Sequence, residues 1–284
     1  MKTLLIATDL SENARHVATY GYRLAQQLRA RVLLCHVMNI PAEIPQNGMV
    51  AWPVDIYDDM LHDSDKELAK LKNRMMAEGD VIGYQPEIIC INDGGFVTDV
   101  VNAEAQANQA DIILIGTHGN DALTTLMIGN HSRKMIEATS RPLLLVPAGV
   151  TAKPIKRIAF GSDFKQPAKE IDVINKLVGF AKALGAELIL AHIDQGHDNP
   201  EYTAIVKKLL MELIAKNNHQ KVSYEVVKSN HVENGLDWLV RHAHVDMIAF
   251  AHREHGFLNQ MFNVSHTQKA SDKMPVPLLV IKEN

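Results

Sequence analysis

The chain has 284 residues, of which 46 % are hydrophobic and 22 % are charged, a globular composition that excludes a disordered chain. With 29 Lys and Arg against 33 Asp and Glu, the formal net charge is −4, which argues against nucleic-acid binding. No apolar run approaches the ~20 residues of a membrane helix, and the first apolar run is too short for a signal peptide, so we expect a cytoplasmic protein without a membrane partner.

Short runs of Val, Ile and Leu alternate with amphipathic helical segments along the first half of the chain. The predicted strands are 3–8, 32–37, 87–92, 111–116 and 142–147, and the predicted helices are 12–30, 60–78, 95–109 and 130–140. Residues 38–59 contain three prolines and no clear period, which predicts a loop. Near-continuous apolar strands joined by helices indicate an α/β fold, with a doubly wound open parallel sheet covered on both faces.

The second half of the chain repeats the pattern of the first. Asp9 and Asp163 each end a first apolar run and are 154 residues apart, whereas Asp111 and Asp246 are 135 apart. The second copy is therefore shorter by 154 − 135 = 19 residues. An internal duplication explains this pattern, and it predicts two tandem Rossmann-like α/β sandwich domains, 1–148 and 155–284.

Small polar and glycine residues follow the predicted strands where such sheets bind ligands, beyond the carboxyl ends of the strands. Asp9 follows the first strand, and Gly116-Thr117-His118-Gly119 follows the fourth. After nine intervening residues, Gly129-Asn130-His131-Ser132 begins a predicted helix, whose amino terminus favours an anion. Each feature taken singly is also explained by a turn or a helix cap, but together they predict a phosphate-binding crevice.

The spacing Gly-x2-Gly-x9-Gly of Gly116, Gly119 and Gly129 resembles the nucleotide motif of the universal stress protein family, and nearly the whole chain resembles its tandem type. This chain has Asn130 where that motif has Ser or Thr. The resemblance implies that ATP or AMP binds, and Mg²⁺ could accompany the phosphates. Asp9 with the backbone of Ala7 and Thr8 would then contact adenine or ribose, and Val37 would lie against adenine. The residues implied to complete the site around ribose and phosphates are Ile115, Gly116, His118, Gly119, Gly129, Asn130, His131 and Ser132.

The second copy does not keep this glycine motif. With the offset of 135 residues, Gly116, Gly119 and Gly129 become Ala251, Glu254 and Val264. We therefore predict one nucleotide site per chain, in the first domain. The resemblance also suggests that the second domain is a built-in dimer partner, with the last strands of the two domains pairing within one chain. The chain could in addition form a homodimer.

The leading hypothesis is a nucleotide-binding stress-response protein that is not an enzyme, because the sequence assigns no catalytic residue and any ATP hydrolysis would be slow and incidental. Two alternatives stay open. One is an adenylyl- or phosphoryl-transfer enzyme that uses the same crevice, for which Asp121 and His118 are the candidate groups. The other is an interaction scaffold that binds no nucleotide, an alternative raised by Asn130.

The remaining chemically active side chains have structural interpretations. Among 14 histidines, we predict a solvated surface and no metal site for His242, His244, His252 and His255. His36 and His192 are predicted to be hydrogen-bonded core residues, and Cys35 and Cys90 to be buried, reduced thiols. The acidic pairs Asp58–Asp59 and Asp63–Asp65 are predicted to begin a helix. Two roles stay open for three residues of the long loop, as a lid over adenine or as packing on the sheet: Met38, Met49 and Trp52.

Overall fold

The computed structural model describes residues 2–38, 54–79, 83–117, 130–164, 167–196, 204, 206–208, 211–212, 215, 221–252 and 276–283. The chain divides into two compact units. The first unit comprises Met1–Gly116, Glu137–Arg141 and Thr151–Lys153, and the second comprises Thr117–Ile136, Pro142–Val150 and Pro154–Asn284.

Four parallel strands form the sheet of the first unit, in the order β3-β2-β1-β4. The strands are β1 (Lys2–Thr8), β2 (Ala30–Met38), β3 (Ile88–Gly94) and β4 (Ile112–Gly116), and the helices are α1 (Glu12–Leu28), α2 (Val54–Glu78) and α3 (Val97–Ala107). The first four of the five strands predicted for the first half are therefore present within two residues of their predicted bounds.

Helix α1 follows the predicted amphipathic pattern. Its amino terminus is capped by Ser11, whose side chain accepts a hydrogen bond from the backbone N–H of Ala14 at 3.2 Å. A Cβ atom on Gly21 would lie 2.5 Å from Cδ1 of Ile6, so glycine permits the close approach of α1 to β1. The residues that recur at steps of three and four along α1 are all buried: Ala14, Val17, Ala18, Gly21, Leu24 and Leu28.

The second unit repeats this strand order and adds two strands. Its order is β5-β10-β9-β6-β7-β8, in which β8-β7-β6-β9 corresponds to β3-β2-β1-β4 of the first unit. The predicted α/β fold with a mostly parallel sheet is thus confirmed. The strands are β5 (Leu143–Val146), β6 (Arg157–Gly161), β7 (Glu187–Asp194), β8 (Val222–Lys228), β9 (Met247–His252) and β10 (Leu278–Lys282), and the helices are α4 (Asn130–Ala138), mostly in this unit, α5 (Pro167–Leu184) and α6 (Val232–His242).

Strand β5 ends the first repeat of the sequence but belongs to the second compact unit. It runs antiparallel to β10, with Leu144 opposite Leu279, so the last strands of the two repeats pair within one chain. The backbone hydrogen bonds to β10 explain why β5 is grouped with that unit. The domain boundaries predicted from the repeat, 1–148 and 155–284, stay a prediction about the duplicated segments.

Two predictions for the region around α2 are wrong. The helix begins at Val54, so residues 54–59 are not a loop. Residues 39–53, with Met49 and Trp52, lie outside the described part of the chain. With this start, Asp58 and Asp59 lie in the second turn of α2, and the prediction that the acidic pairs begin the helix is wrong. Asp63 and Asp65 lie well inside the helix, where Asp63 pairs with Lys66 at 3.0 Å and Asp65 accepts a hydrogen bond from Asn92.

The two cysteines differ in exposure. Cys35 lies on β2, between β1 and β3, and is buried as predicted, and burial raises the pKa of its thiol to about 12. The prediction for Cys90 is wrong, because this residue is exposed. Strand β3 ends the strand order of the first unit, so part of its surface is left to solvent.

The histidines predicted to form a solvated surface have different environments. His242 and His244 are exposed, which confirms the prediction for these two. His252 is half-buried, since it ends the buried strand β9, and His255 lies outside the described residues. Within the part of the chain that the structure describes, no helix is long and apolar enough to cross a membrane.

Candidate functional site

Six predicted site residues meet at the carboxyl edge of the first unit's sheet. Thr8 of β1 lies opposite His36 of β2, and the register of β1 with β4, continued by two residues from Ile6, places Gly116 beside Thr8. Neighbouring strands are about 4.8 Å apart, so the three residues form one row. The predicted residues brought together along this edge are Ala7, Thr8, Asp9, Val37, Ile115 and Gly116.

The turn after β1 is held by side-chain hydrogen bonds. The buried Thr8 hydroxyl accepts the backbone N–H of Leu10 at 3.0 Å, and Oδ1 of Asp9 accepts that of Ser11 at 3.0 Å. Leu10 has φ 63°, a left-handed conformation that costs a non-glycine residue about 1–2 kcal/mol. Asp9 is exposed at this turn. The hydrogen bonds therefore hold a strained turn that presents a carboxylate to solvent.

His36 fixes the same turn from the neighbouring strand. Its Nδ1 lies 2.9 Å from the carbonyl oxygen of Thr8. A carbonyl oxygen only accepts, so Nδ1 donates this hydrogen bond, and in the neutral ring Nε2 is then an acceptor. The predicted hydrogen bond is confirmed, although His36 is half-buried and not a fully buried core residue. His36 is not among the site residues predicted from the sequence.

The second repeat contains the same arrangement in its own unit. Nδ1 of His192 lies 3.1 Å from the carbonyl oxygen of Ser162, and the Ser162 hydroxyl accepts the N–H of Phe164 at 3.0 Å. Phe164 is also left-handed, with φ 48°, and His192 is buried as predicted. The turn is therefore a property of both repeats. A shared Thr or Ser before Asp, together with His near the end of the second strand, is the sequence signal that identifies it.

Gly116 is constrained by packing beneath the site. A Cβ atom at this position would lie 3.0 Å from Cγ2 of Val17 and 3.4 Å from Nδ2 of Asn13, both on α1. Glycine therefore allows β4 to end close to α1, in addition to exposing the backbone as predicted from the sequence. The second repeat has Ala251 at the corresponding position.

The other predicted residues belong to the second unit or lie outside the described chain. The N–H of buried Thr117 donates to the carbonyl oxygen of Val146 at 3.1 Å, so it is engaged in backbone pairing. Asn130 and His131 begin α4, and Ser132 in its first turn is buried. The side chains of Asn130 and His131, and all of His118, Gly119 and Gly129, lie outside the described residues, so their predicted roles stay predictions.

The sequence and the fold are similar to those of known proteins. The profile of the universal stress protein family matches residues 1–147. A universal stress protein from Thermus aquaticus is 26 % identical over 147 residues, which cover 51 % of this chain and 98 % of that protein. The crystal structure of a universal stress protein from Archaeoglobus fulgidus covers 99 % of this chain and 98 % of its own, with a TM-score of 0.72 and 17 % identity, so the two share a fold.

A universal stress protein crystallised in complex with cAMP covers 51 % of this chain and 96 % of its own, at 17 % identity and a TM-score of 0.38. That similarity is too low for its ligand to be carried over to this chain. The match of the family profile is decisive for classification, because residues 1–147 are more than half of the 284 in the sequence. The chain therefore belongs to the universal stress protein family.

Proposed function

We propose that the first repeat binds one adenine nucleotide, ATP or AMP, and that the bound state is passed to partner proteins in a stress response. The observation that carries this proposal is the exposed Asp9 carboxylate on a fixed turn beside Gly116. This edge lies where the strand order of the first unit reverses, between β1 and β4. Doubly wound sheets bind their ligands at such switch points.

The described residues suit the base and the ribose. The carboxylate of Asp9 can accept hydrogen bonds from the exocyclic amine of adenine or from a ribose hydroxyl. Half-buried Val37 offers an apolar surface at the end of β2. The turn is already fixed by the hydrogen bonds of Leu10 with the Thr8 hydroxyl and of His36 with the Thr8 carbonyl. Binding a nucleotide therefore loses little conformational entropy at this turn.

We assign phosphate binding to the spaced glycines and to the residues that begin α4. Backbone N–H groups at glycines and at a helix amino terminus suit an anion, and the first turn of α4 contains no acidic residue that would repel it. Asn130 keeps a donor and an acceptor where the family motif has a hydroxyl, and Mg²⁺ could accompany the phosphates. The second repeat has the Asp turn but not these glycines, so we propose one site per chain.

We propose binding without appreciable turnover. Asp121 and His118 are the side chains near the motif in sequence that could act as a base, and neither is assigned such a role here. The protein would therefore work through the difference between its free and nucleotide-bound forms, and ATP hydrolysis would be slow and incidental. A steady-state ATPase assay that gave turnover at ordinary enzymatic rates would contradict this part of the proposal.

The first experiment is calorimetric titration of ATP and AMP into the parent protein and two matched variants. Asp9→Asn removes a charge-assisted acceptor, so we expect affinity to fall about 10- to 100-fold. Asp163→Asn makes the same change in the equivalent turn of the second repeat, and we expect the parent affinity. Equal weakening in both variants, or none in Asp9→Asn, would show that the base is not bound at the first turn.

The second experiment tests the phosphate assignment. Gly129→Val copies Val264 of the second repeat into the first, and a branched side chain then replaces bare backbone. We expect this variant to lose ATP binding while retaining the thermal unfolding transition of the parent. Mass spectrometry of ligand released from freshly purified parent protein should detect ATP or AMP. A Gly129→Val variant that binds ATP as tightly as the parent would refute the assignment.

A further inference from the structure

Helix α3 begins with an exposed aromatic residue that supports neither a helix cap nor the core. Phe96 occupies the position before the first helical residue, makes no side-chain capping hydrogen bond, and is 69 % exposed. Ser, Thr, Asp and Asn are favoured at this position because their oxygen binds a free N–H of the first turn. Val97, the next residue, is also exposed, at 39 %. Phe96 departs from this preference, and with Val97 it forms an exposed apolar pair at the start of α3 that has no role in the fold.

The surroundings of Phe96 are acidic. Asp93 and Asp99 are both exposed and lie three residues before and after it. From Met75 to Ser132 the sequence contains no Lys or Arg, so no cation of this segment offsets them. Two exposed carboxylates that flank an exposed aromatic residue favour a positively charged partner.

The outward face of α3 has short side chains, which allow another helix to pack closely against it. Ala103 and Ala107 are exposed, and both have the shortest side chain that a helix commonly carries. In the second repeat, the offset of 135 residues replaces them with Trp238 and His242 on α6. Those two rings stack with centroids 5.2 Å apart and an interplanar angle of 14°, so the equivalent face there is occupied. Short side chains on α3 permit close helix packing that the second repeat does not.

We propose that Asp93, Phe96, Val97 and Asp99, with the outward face of α3, form a docking surface for a basic amphipathic helix of a partner protein. An apolar residue of that helix packs on Phe96, while its Lys and Arg side chains face Asp93 and Asp99. The inference is independent of nucleotide binding, because none of these residues belongs to the proposed nucleotide site. It assigns the surface through which a stress signal could reach another protein.

The test uses a fluorescein-labelled model peptide of about 18 residues, five helical turns, with Leu at helical spacing and Lys elsewhere. A second peptide replaces every Lys with Glu. In fluorescence anisotropy we expect the Lys peptide to bind the full chain, more weakly at 500 mM than at 50 mM NaCl, and the Glu peptide not to bind. No binding of the Lys peptide at 100 µM, or equal binding of both peptides, would overturn the proposal.

Three variants locate the contact. Phe96→Ser removes the anchor and supplies a capping oxygen, so we expect at least tenfold weaker peptide binding with an unchanged or higher Tm, which separates the contact from misfolding. Ala103→Trp copies the second repeat and should weaken binding about as much, and Asp99→Asn should weaken it a few-fold at low salt. Parent-like affinity in both Phe96→Ser and Ala103→Trp would refute the proposal. Self-association of the parent chain that Phe96→Ser abolishes in sedimentation would instead make a second copy the occupant and would also refute it.

Discussion

The turn after β1 provides the sharpest test of how the fold prepares the site. Replacing Thr8 with Val keeps the branched shape of the buried side chain but removes the hydroxyl that accepts the N–H of Leu10 at 3.0 Å. Leu10 would then hold its left-handed conformation, φ 63°, without that contact. We expect the turn to populate other conformations, in which Asp9 is no longer held in place.

The size of the effect follows from the contact that is lost. A partly buried hydrogen bond contributes about 1 kcal/mol net, and the N–H left without its acceptor adds up to another ~1 kcal/mol. The expected loss in the free energy of unfolding is therefore about 1–2 kcal/mol. If the same free energy must be supplied to re-form the turn on binding, the Kd for ATP rises about 5- to 30-fold.

Two control variants separate stability from binding. Thr8→Ser keeps the hydroxyl and copies Ser162 of the second repeat, so it should bind ATP like the parent. Ser162→Ala removes the equivalent contact with Phe164, 3.0 Å in the structure, and should lower stability by about 1 kcal/mol without changing ATP affinity. The assays are urea denaturation followed by tryptophan fluorescence and calorimetric titration of ATP.

Either of two results would refute this prediction. If Thr8→Val loses stability but binds ATP with the parent Kd, the turn is not part of the binding site. If Ser162→Ala weakens ATP binding as much as Thr8→Val does, ATP binding does not depend on the first repeat alone.

Three further predictions concern the core. Burial raises the pKa of the Cys35 thiol to about 12 from its ordinary value near 9, so this thiol ionises at lower pH in the unfolded chain than in the folded one. The free energy of unfolding should therefore be fully retained below pH 9 and fall between pH 9 and 12. Urea denaturation at a series of pH values measures this, and the fall should be shallower in Cys35→Ala. Ellman's reagent at pH 8 should modify one thiol of the native chain, exposed Cys90, and a second only in denaturant; two fast thiols would contradict the burial of Cys35. Gly21→Ala should lower the free energy of unfolding by about 1 kcal/mol, because its Cβ would lie 2.5 Å from Cδ1 of Ile6. Gly179→Ala in α5, whose Cβ would meet no atom within 4 Å, should raise the free energy of unfolding by about 0.5–1 kcal/mol. Changes of the same sign in both variants would contradict this prediction.

Local patterns in the sequence predicted much of the fold. The strands of the first unit were predictable because each is a continuous apolar run, and the buried stripe of α1 because its period is that of a helix. The start of α2 was not, since the prolines of residues 38–59 concealed helical residues after the last of them. The exposure of Cys90 depends on the place of β3 at the end of the strand order, which its own residues do not encode.

Six of the predicted site residues lie at one sheet edge, but the hydrogen bonds that hold them there were not predicted. Glycine spacing and Asp9 are visible in the sequence because they are compact motifs. The hydrogen bond from His36 to the carbonyl of Thr8 joins residues 28 positions apart, and only the parallel pairing of β1 with β2 brings them together. Its repetition at His192 and Ser162 was present in the sequence as a shared His near the end of each second strand, but that signal did not indicate the partner.

The central claim is that one repeat of two keeps a nucleotide site. Calorimetric titration of ATP into the intact chain, after removal of any ligand carried through purification, measures this directly through the stoichiometry. The account predicts one ATP bound per chain. Two ATP per chain, or no binding at millimolar ATP by a folded chain, would contradict it.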